Sequence, residues 1–253
     1  MTSIYDKFKL ITSLDESLKL VANGLWPPSC SICRRAVSHH QMLCGDCWSE
    51  LPLLEAPCCR YCGISVQGST DPICIDCWNT PRPWSHGYAA THYEGISRHI
   101  TLAFKNRGAE HYAPIIASLI LRNHREKFSE LDFITEMPLH WRRKLSRGYN
   151  QAGLICHHLS KQANIAFQSS VVHRDQYTKK QGKHSDFDAR HKNVENVFSI
   201  KPACTELIRD KHIGLVDDVF TSGASLTEVS TVLLKSGARE VSVFVFARAG
   251  VSD

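Results

Sequence analysis

No apolar run in this sequence approaches the roughly 18 residues that a transmembrane helix needs. Its first residues alternate charged and apolar side chains and lack the apolar stretch of a signal peptide. With 43% hydrophobic and 22% charged residues, 14 Gly and 10 Pro, the composition is not that of a collagenous, coiled-coil or disordered chain. We therefore expect a soluble, cytoplasmic, globular protein, with a peripheral position at the inner face of the membrane left open.

A strong net charge is also missing. Lys and Arg number 30 against 25 Asp and Glu, which gives a formal net charge of +5. Cysteines that bind zinc are deprotonated, so two four-cysteine zinc sites would lower the net charge to about +1. The total charge therefore says little about a nucleic-acid partner, and the positions of the charges matter more.

Cysteine is scarce outside one short segment. Nine of the eleven cysteines lie between Cys30 and Cys77, and eight of them form four Cys-x-x-Cys pairs. The segment is an internal repeat, because Cys-Gly-Asp-Cys-Trp at 44–48 is echoed by Cys-Ile-Asp-Cys-Trp at 74–78. Two Cys-x-x-Cys turns supply the four thiolates of one structural Zn²⁺, so we predict two zinc ribbons within residues 29–80. The predicted ligands are Cys30, Cys33, Cys44, Cys47, Cys59, Cys62, Cys74 and Cys77.

A disulfide framework is the alternative interpretation of these cysteines, and it would suit an exported protein. Nothing in the sequence indicates export, so zinc is favoured. Sites closed by four sulfurs leave no open coordination position, so the zinc ions would be structural. Cys58 is an extra cysteine, because Cys59 keeps the two-residue spacing. Cys156 and Cys204 are expected to be buried small apolar residues.

An amphipathic helix is predicted ahead of the ribbons, within residues 1–28. Apolar residues recur at helical spacing from Tyr5 to Val21, and the pattern ends before Asn23-Gly24 and Pro27. Packing on the ribbons or on the main domain is the favoured interpretation. A helix on a membrane surface is the alternative, although acidic residues offset its lysines.

Strand and helix patterns alternate through residues 84–253, where cysteines nearly vanish. The predicted strands lie near 87–93, 133–137, 170–173, 197–200, 213–216 and 241–247. The predicted helices lie near 95–105, 113–127, 149–162 and 222–236. This alternation is typical of an α/β fold with a mainly parallel sheet.

The segment 212–226 carries the strongest functional signal. A buried strand ends at Asp217 and Asp218, and a turn of small residues then opens a helix. Backbone N–H groups at a helix N-terminus, with the hydroxyls of Thr221, Ser222 and Ser225 beside them, suit a phosphate monoester. The two acids follow the carboxyl end of a strand, where they could accept hydrogen bonds from sugar hydroxyls or hold Mg²⁺. An acidic loop in an unrelated α/β fold is the alternative.

Residues 215–225, Leu-Val-Asp-Asp-Val-Phe-Thr-Ser-Gly-Ala-Ser, resemble the phosphoribosyl pyrophosphate (PRPP) signature of type I phosphoribosyltransferases. The resemblance implies a type I phosphoribosyltransferase-like parallel sheet and PRPP bound with Mg²⁺. It also implies that Asp217 and Asp218 hold the ribose hydroxyls while the turn wraps the 5′-phosphate. The implied phosphate-binding residues are Thr221, Ser222, Gly223, Ala224 and Ser225.

Nearly the whole chain resembles the ComF family, which comprises competence-associated proteins and GntX-type relatives. The resemblance joins the cysteine ribbons and the signature to three further motifs, Phe-Lys-Asn-Arg-Gly at 104–108, Met-Pro-Leu-His at 137–140 and Arg-Gly-Tyr-Asn-Gln at 147–151. In that family residues 138–147 would form the pyrophosphate loop. The implied ligand contacts are Lys105, Pro138, Leu139, His140 and Arg147. Arg142, Arg143 and Lys144 suit an anion site, because arginine clamps phosphate oxygens, whereas a solvated basic loop is the alternative.

Residues 174–193 resemble the flexible loop that closes over the reacting centre in phosphoribosyltransferases. The segment is long, polar and basic, as suits a lid that excludes water. A disordered surface loop is the alternative. Arg174, Gln181 and Arg190 are the candidate lid residues, and Arg147, Arg174 and Arg190 are the candidate catalytic residues.

Three functions stay open at this point. A catalyst would bind PRPP with Mg²⁺ and displace pyrophosphate from the ribose C1, although no residue identifies the nucleophile. An adaptor in natural transformation or DNA utilisation would handle single-stranded DNA and competence-machinery proteins. Its contact residues would be Trp48 and Trp78, unless these side chains cover the metal knuckles instead. A regulator would bind PRPP or a related phosphoribosyl ligand as a signal without turnover.

Overall fold

A computed structural model of the chain describes residues 27–40, 42–68, 72–106, 109–139, 149–174 and 198–250. Nearly all of the helix predicted within 1–28 lies outside these ranges. The chain divides into two compact units, the first ending at Glu50 and the second beginning at Leu51. The first ribbon therefore belongs to one unit, and the second ribbon shares the other unit with the sheet.

The strands of the second unit confirm the predicted α/β fold. They are β1 (His86–His92), β2 (Phe133–Glu136), β3 (Val172–Arg174), β4 (Phe198–Ile200), β5 (His212–Phe220) and β6 (Glu240–Arg248). Four of them form a parallel sheet in the order β1-β6-β5-β2, and β3 pairs antiparallel with β4. The central strands β5 and β6 consist of nearly continuous apolar runs because parallel sheets are buried on both faces.

The helices in the described ranges are α1 (Gly45–Ser49), α2 (Ile75–Asn79), α3 (Gly95–Phe104), α4 (Ala113–His124), α5 (Gln151–Ala163), α6 (Thr205–Ile208) and α7 (Ala224–Lys235). α4 ends before the predicted residue 127, and a 3₁₀ segment, Arg125–Glu130, follows it. Helix α5 begins at Gln151 because the Asn150 Oδ1 accepts a hydrogen bond from the Ala152 N–H at 3.1 Å. In the described ranges, every helix is too short or too polar to cross a bilayer.

The hydrophobic core lies on both faces of β6. Successive strand residues face opposite sides of a sheet, so neighbouring side chains of β6 enter different layers. On one side the Phe244 ring packs 4.5 Å, centroid to centroid, from the ring of Phe128. On the other side Val243 belongs to the same buried cluster as Leu226 and Val229 of α7. Helix α7, which follows the signature segment, is thereby fixed against the sheet.

The second ribbon covers β1, the edge strand of the sheet. The Gly87 N–H donates to the Arg60 carbonyl at 2.8 Å. A Cβ atom on Gly87 would lie 2.1 Å from the Tyr61 carbonyl oxygen, and one on Gly63 would lie 2.5 Å from the Ala89 nitrogen. Only glycine permits this approach at either position. The ribbon therefore protects a strand edge that would otherwise be open to unwanted pairing.

Candidate functional site

Each ribbon brings four cysteine sulfurs together. One set comprises Cys30, Cys33, Cys44 and Cys47, the other Cys59, Cys62, Cys74 and Cys77, and within each set the Sγ atoms lie within 4.8 Å of one another. The Sγ atoms of Cys33 and Cys44 are 3.5 Å apart, and those of Cys62 and Cys74 are 3.6 Å apart. Sulfurs bound about 2.3 Å from a tetrahedral zinc lie about 3.8 Å apart. Because all eight are free cysteines, the sets fit two zinc ions and not a disulfide framework.

In the second set, ionisation of one thiol opposes ionisation of its neighbours, which is a second indication of a metal site. Hydrogen bonds from Cys62 and Cys77 lower the pKa of the Cys59 thiol. The hydrogen bond to Cys59 raises the pKa of Cys62 in turn. Thiols packed this closely cannot all ionise unless a cation lies between them. A Zn²⁺ ion would hold all four as thiolates, and with no open coordination position it would be structural.

The internal repeat extends to the backbone geometry of the ribbons. The Cys44 N–H donates to the Cys30 Sγ at 3.3 Å, and the Cys74 N–H donates to the Cys59 Sγ at 3.3 Å. Cys58 stands outside the second set, and its Sγ donates to the Glu55 carbonyl. Its status as an extra cysteine is confirmed.

Of the two cysteines beyond the ribbons, Cys156 is fully buried, as predicted. Cys204 is only half-buried and packs against the margin of the core. Both lie outside the two sulfur sets.

A polar cavity of about 170 Å³ lies at the carboxyl end of β5. Asp217 and Asp218 line it. Five other predicted site residues line the same cavity, namely Lys105, Pro138, Leu139, Arg174 and Ser225. The cavity therefore gathers residues from several separate segments of the chain at the sheet edge where α/β proteins bind ligands.

The two carboxylates of the cavity are only partly neutralised. The Lys105 Nζ lies 3.3 Å from the Asp218 Oδ2, with the side chains 31% and 14% exposed. The Asp218 N–H donates to the Asp217 Oδ1 at 2.8 Å. Burial, and then the charge of Asp218, raise the pKa of Asp217 well above its ordinary value. Two acids that share one lysine leave room for a further cation or for hydroxyl donors.

Residues 221–225, here called the signature loop, run from the end of β5 into the first turn of α7. Thr221, Ser222 and Ser225 are exposed. Gly223 has φ of 78°, in the left-handed region, and its carbonyl accepts the first helical hydrogen bond from Thr227 at 2.8 Å. A Cβ atom at Gly223 would lie 2.7 Å from the Phe220 ring, so the position requires glycine. The loop presents hydroxyl groups and the amino end of a twelve-residue helix to solvent, an arrangement suited to phosphate.

The segment 149–151 supports the cavity in a way that the sequence analysis missed. The Tyr149 hydroxyl lies 2.7 Å from the Phe104 carbonyl oxygen, and the Gln151 side chain donates to the same oxygen at 3.4 Å. The Asn150 side chain donates to the Met137 carbonyl at 3.0 Å. These hydrogen bonds fix Phe104 and Met137, the residues that precede Lys105 and Pro138 in the chain. The one available signal was the Asn before an apolar periodic run, which is typical of a helix N-cap.

The remaining predicted site residues fall into two groups. Arg174 is described: it lines the cavity and lies over the Phe198 ring, 5.4 Å from its centroid. The others lie outside the described residues, so their roles stay predictions; they are His140, Arg142, Arg143, Lys144, Arg147, Gln181 and Arg190.

The two ribbon tryptophans are more exposed than a purely covering role requires. Trp48 is 42% exposed and Trp78 is 71% exposed. The Trp78 side chain is therefore not buried against the cysteine turns of its ribbon. Its ring is available for contact with another molecule.

A larger cavity, of about 730 Å³, lies elsewhere in the second unit, between the ends of α4 and α5. Arg122, Arg125 and Asn164 line it, and none of the predicted site residues in the described ranges does. We therefore assign the candidate site to the smaller cavity, where the chemistry is concentrated.

The chain is similar to several known proteins. The profile of the family described as "Double zinc ribbon domain" matches residues 21–78. Competence protein F of Haemophilus influenzae is 30% identical over 214 residues, which cover 82% of this chain and 90% of that protein. DNA utilization protein YhgH of Escherichia coli K12 is 28% identical over 228 residues, 88% of this chain and 97% of that protein. The solved structure of the allosteric regulatory enzyme of purine biosynthesis matches 57% of this chain and 30% of its own, with a TM-score of 0.40 and 16% identity.

Proposed function

The chain belongs to the ComF family, and we propose that it binds PRPP with Mg²⁺ in the cavity lined by Asp217 and Asp218. One observation carries the proposal: the two carboxylates, of which Asp218 pairs with Lys105, open into a polar cavity beside the signature loop. A phosphoribosyl ligand needs these two features together, since it carries a phosphate at one end of the sugar and vicinal hydroxyls on the ring.

Each part of the ligand has a group to receive it. The N–H groups and hydroxyls of the signature loop would bind the 5′-phosphate. Asp217 and Asp218 would accept hydrogen bonds from the ribose hydroxyls and would hold Mg²⁺. When bound, Mg²⁺ would neutralise charge on the pyrophosphate. Lys105, which is only half-buried, would reach the same anion from the end of α3.

If the bound PRPP reacts, a nucleophile forms a bond to the ribose C1 while the C1–oxygen bond breaks and its electron pair leaves with pyrophosphate. The chain would contribute orientation and stabilisation of the departing charge. Arg174, which lines the cavity, would contribute to that stabilisation. A regulator that binds PRPP without turnover is the alternative, and a tight complex that stays intact with every acceptor offered would support it.

The biological setting that we propose is natural transformation or DNA utilisation, through handling of single-stranded DNA in the cytoplasm. The names of the two relatives support it. Direct contact with DNA is favoured by Trp78, which is 71% exposed, because bases stack on exposed aromatic rings. A Trp78→Ala variant should then bind single-stranded DNA about tenfold more weakly. Absent or salt-independent binding by the intact protein would argue against direct contact.

Calorimetric titration of PRPP and Mg²⁺ into zinc-loaded protein tests the main proposal. An Asp217→Asn/Asp218→Asn variant keeps the side-chain shapes, removes both charges and should lose at least tenfold in affinity. Glu206→Gln serves as the matched control, because it removes a carboxylate that is 77% exposed on α6 and outside the cavity lining. No binding to the intact protein, or equal binding by the double variant, would overturn the proposal.

A further inference from the structure

Arg248, the last residue of β6, joins the second ribbon to the signature loop. Its side chain is 3% exposed, and its Nη2 lies 3.5 Å from the Asp76 Oδ2 on the ribbon helix α2. Its Nη1 donates to the Thr221 carbonyl at 3.0 Å, at the first residue of the loop. A buried guanidinium is costly without an anionic partner, so the position of Arg248 depends on Asp76.

Arg82 makes a second connection between the same two parts. It lines a small cavity together with Asp76 and Asn79 of the ribbon helix α2 and with Thr221 and Ser222 of the signature loop. The Arg82 Nη1 also lies close to the loop backbone, since a Cβ atom on Gly223 would lie 3.1 Å from it. A residue beside the ribbon helix α2 therefore also lies next to the left-handed turn of the loop.

Both arginines also enclose Phe220, the residue before the loop. The Phe220 centroid is 4.5 Å from the Arg248 guanidinium carbon and 5.5 Å from that of Arg82. The loop itself is largely exposed, so it buries little surface of its own that could fix its shape. Its conformation must therefore come from the groups beneath it.

The first ribbon provides an internal comparison. Asp46 occupies the place in the repeat that Asp76 occupies in the second copy. Asp46 forms an ion pair with Arg35 of its own ribbon, and both side chains are more than 60% exposed. The two ribbons thus share a metal geometry but differ in what this aspartate contacts.

We propose that the second zinc ribbon holds the signature loop in its binding conformation, with Asp76, Arg82 and Arg248 as positioning residues. A Zn²⁺ ion on the second set would fix Cys77, and thereby the helix α2, which carries Asp76, the partner of Arg248. The inference deepens the proposed function, because the loop is the phosphate site of that proposal. The coupling itself can be measured without PRPP.

The test is amide hydrogen exchange of residues 220–226 in the zinc-loaded full chain, without ligand. Asp76→Asn should keep two zinc ions and speed exchange in this segment about tenfold, because the loop loses its anchored support. Asp46→Asn, the matched change in the first ribbon, should leave the segment unchanged. Asp76→Glu, which keeps the carboxylate, should restore most of the protection. Unchanged exchange in Asp76→Asn would overturn the proposal.

A second variant decides the case in which Asp76→Asn loses zinc. Arg82→Met retains Asp76 and all the cysteines. It too should speed amide exchange of the loop while two zinc ions remain bound. Exchange in this variant at the rate of the intact protein would overturn the inference.

PRPP affinity separates the two proposals. If the intact protein binds no PRPP, the proposed function fails while the exchange comparison still decides the coupling. If PRPP binds and neither variant alters exchange, the coupling alone fails.

Discussion

The Lys105 Nζ lies 3.3 Å from the Asp218 Oδ2, in the cavity that Ser225 of the signature loop also lines. The pair joins the end of α3 to the carboxyl end of β5. It is half-buried, so solvent screens it less than a surface ion pair. Lys105 is thus held where it offsets one of two adjacent carboxylates and can also meet an incoming anion.

Replacing Lys105 with Met should weaken binding of PRPP and Mg²⁺ about tenfold. The variant loses a charged contact to the ligand and leaves the two carboxylates to repel the pyrophosphate. Calorimetry measures the change. Lys127→Met is the matched control, because Lys127 pairs with Glu130 outside the cavity lining. Equal affinities of Lys105→Met and the intact protein would show that Lys105 does not contact the ligand.

Asp217→Asn should stabilise the ligand-free protein near pH 8. Burial and the charge of Asp218 raise the pKa of Asp217 in the folded chain. A carboxyl group with a raised pKa stabilises the fold in its protonated form. This contribution to the free energy of unfolding is complete below the unfolded pKa of about 3.9, and it is lost as the pH rises through the folded pKa. Asparagine stays neutral, so the free energy of unfolding of the variant should exceed that of the intact protein by about 1 kcal/mol near pH 8.

Urea unfolding of the zinc-loaded proteins from pH 8 downward checks this, because the difference in the free energy of unfolding between the variant and the intact protein should shrink as the pH falls toward the unfolded pKa of about 3.9. The same variant should bind PRPP more weakly, because it lacks the carboxylate that would contact the ligand. In the intact protein this carboxylate serves binding and lowers stability. A variant that is less stable than the intact protein at pH 8 would contradict the argument.

Gly223→Ala should damage the signature loop selectively. The residue has φ of 78°, and a new Cβ would lie 2.7 Å from the Phe220 ring. We expect a loss of about 1–3 kcal/mol in the free energy of unfolding and no measurable PRPP binding. Gly250→Ala is the control, since nothing lies within 4 Å of its added Cβ. The prediction fails if both variants behave alike in urea unfolding and calorimetry.

Cys62→Ser should reduce the zinc content from two ions per chain to one. It removes a sulfur from the second set, whereas the first set stays complete. Cys58→Ser is a close control, because Cys58 is a neighbouring cysteine of the same ribbon that lies outside the set. Elemental analysis after gel filtration counts the metal. Loss of zinc in the Cys58 variant would mean that the ligand assignment is wrong.

The zinc sites and the chemistry of β5 could be predicted from the sequence because their signals are local. Cys-x-x-Cys spacing places two sulfurs at one centre whatever the rest of the chain does. The acids, the small-residue turn and the following helix of the signature segment are likewise adjacent in sequence, and hydrophobic periodicity predicted the parallel sheet. The exact end of α4 and the antiparallel pairing of β3 with β4 were not predicted. The roles of His140, Arg147 and Arg190 stay predictions, as these residues lie outside the described ranges.

The sequence by itself determined where the candidate groups lie: eight cysteines in two sets, two adjacent acids and a glycine turn at a helix start. The tertiary structure alone decided what these residues touch. It placed Lys105 against Asp218, the second ribbon on the edge strand β1, and Arg82 and Arg248 between that ribbon and the signature loop. Local patterns do not encode such contacts, because they join segments far apart in sequence and arise only when the sheet and its layers pack together.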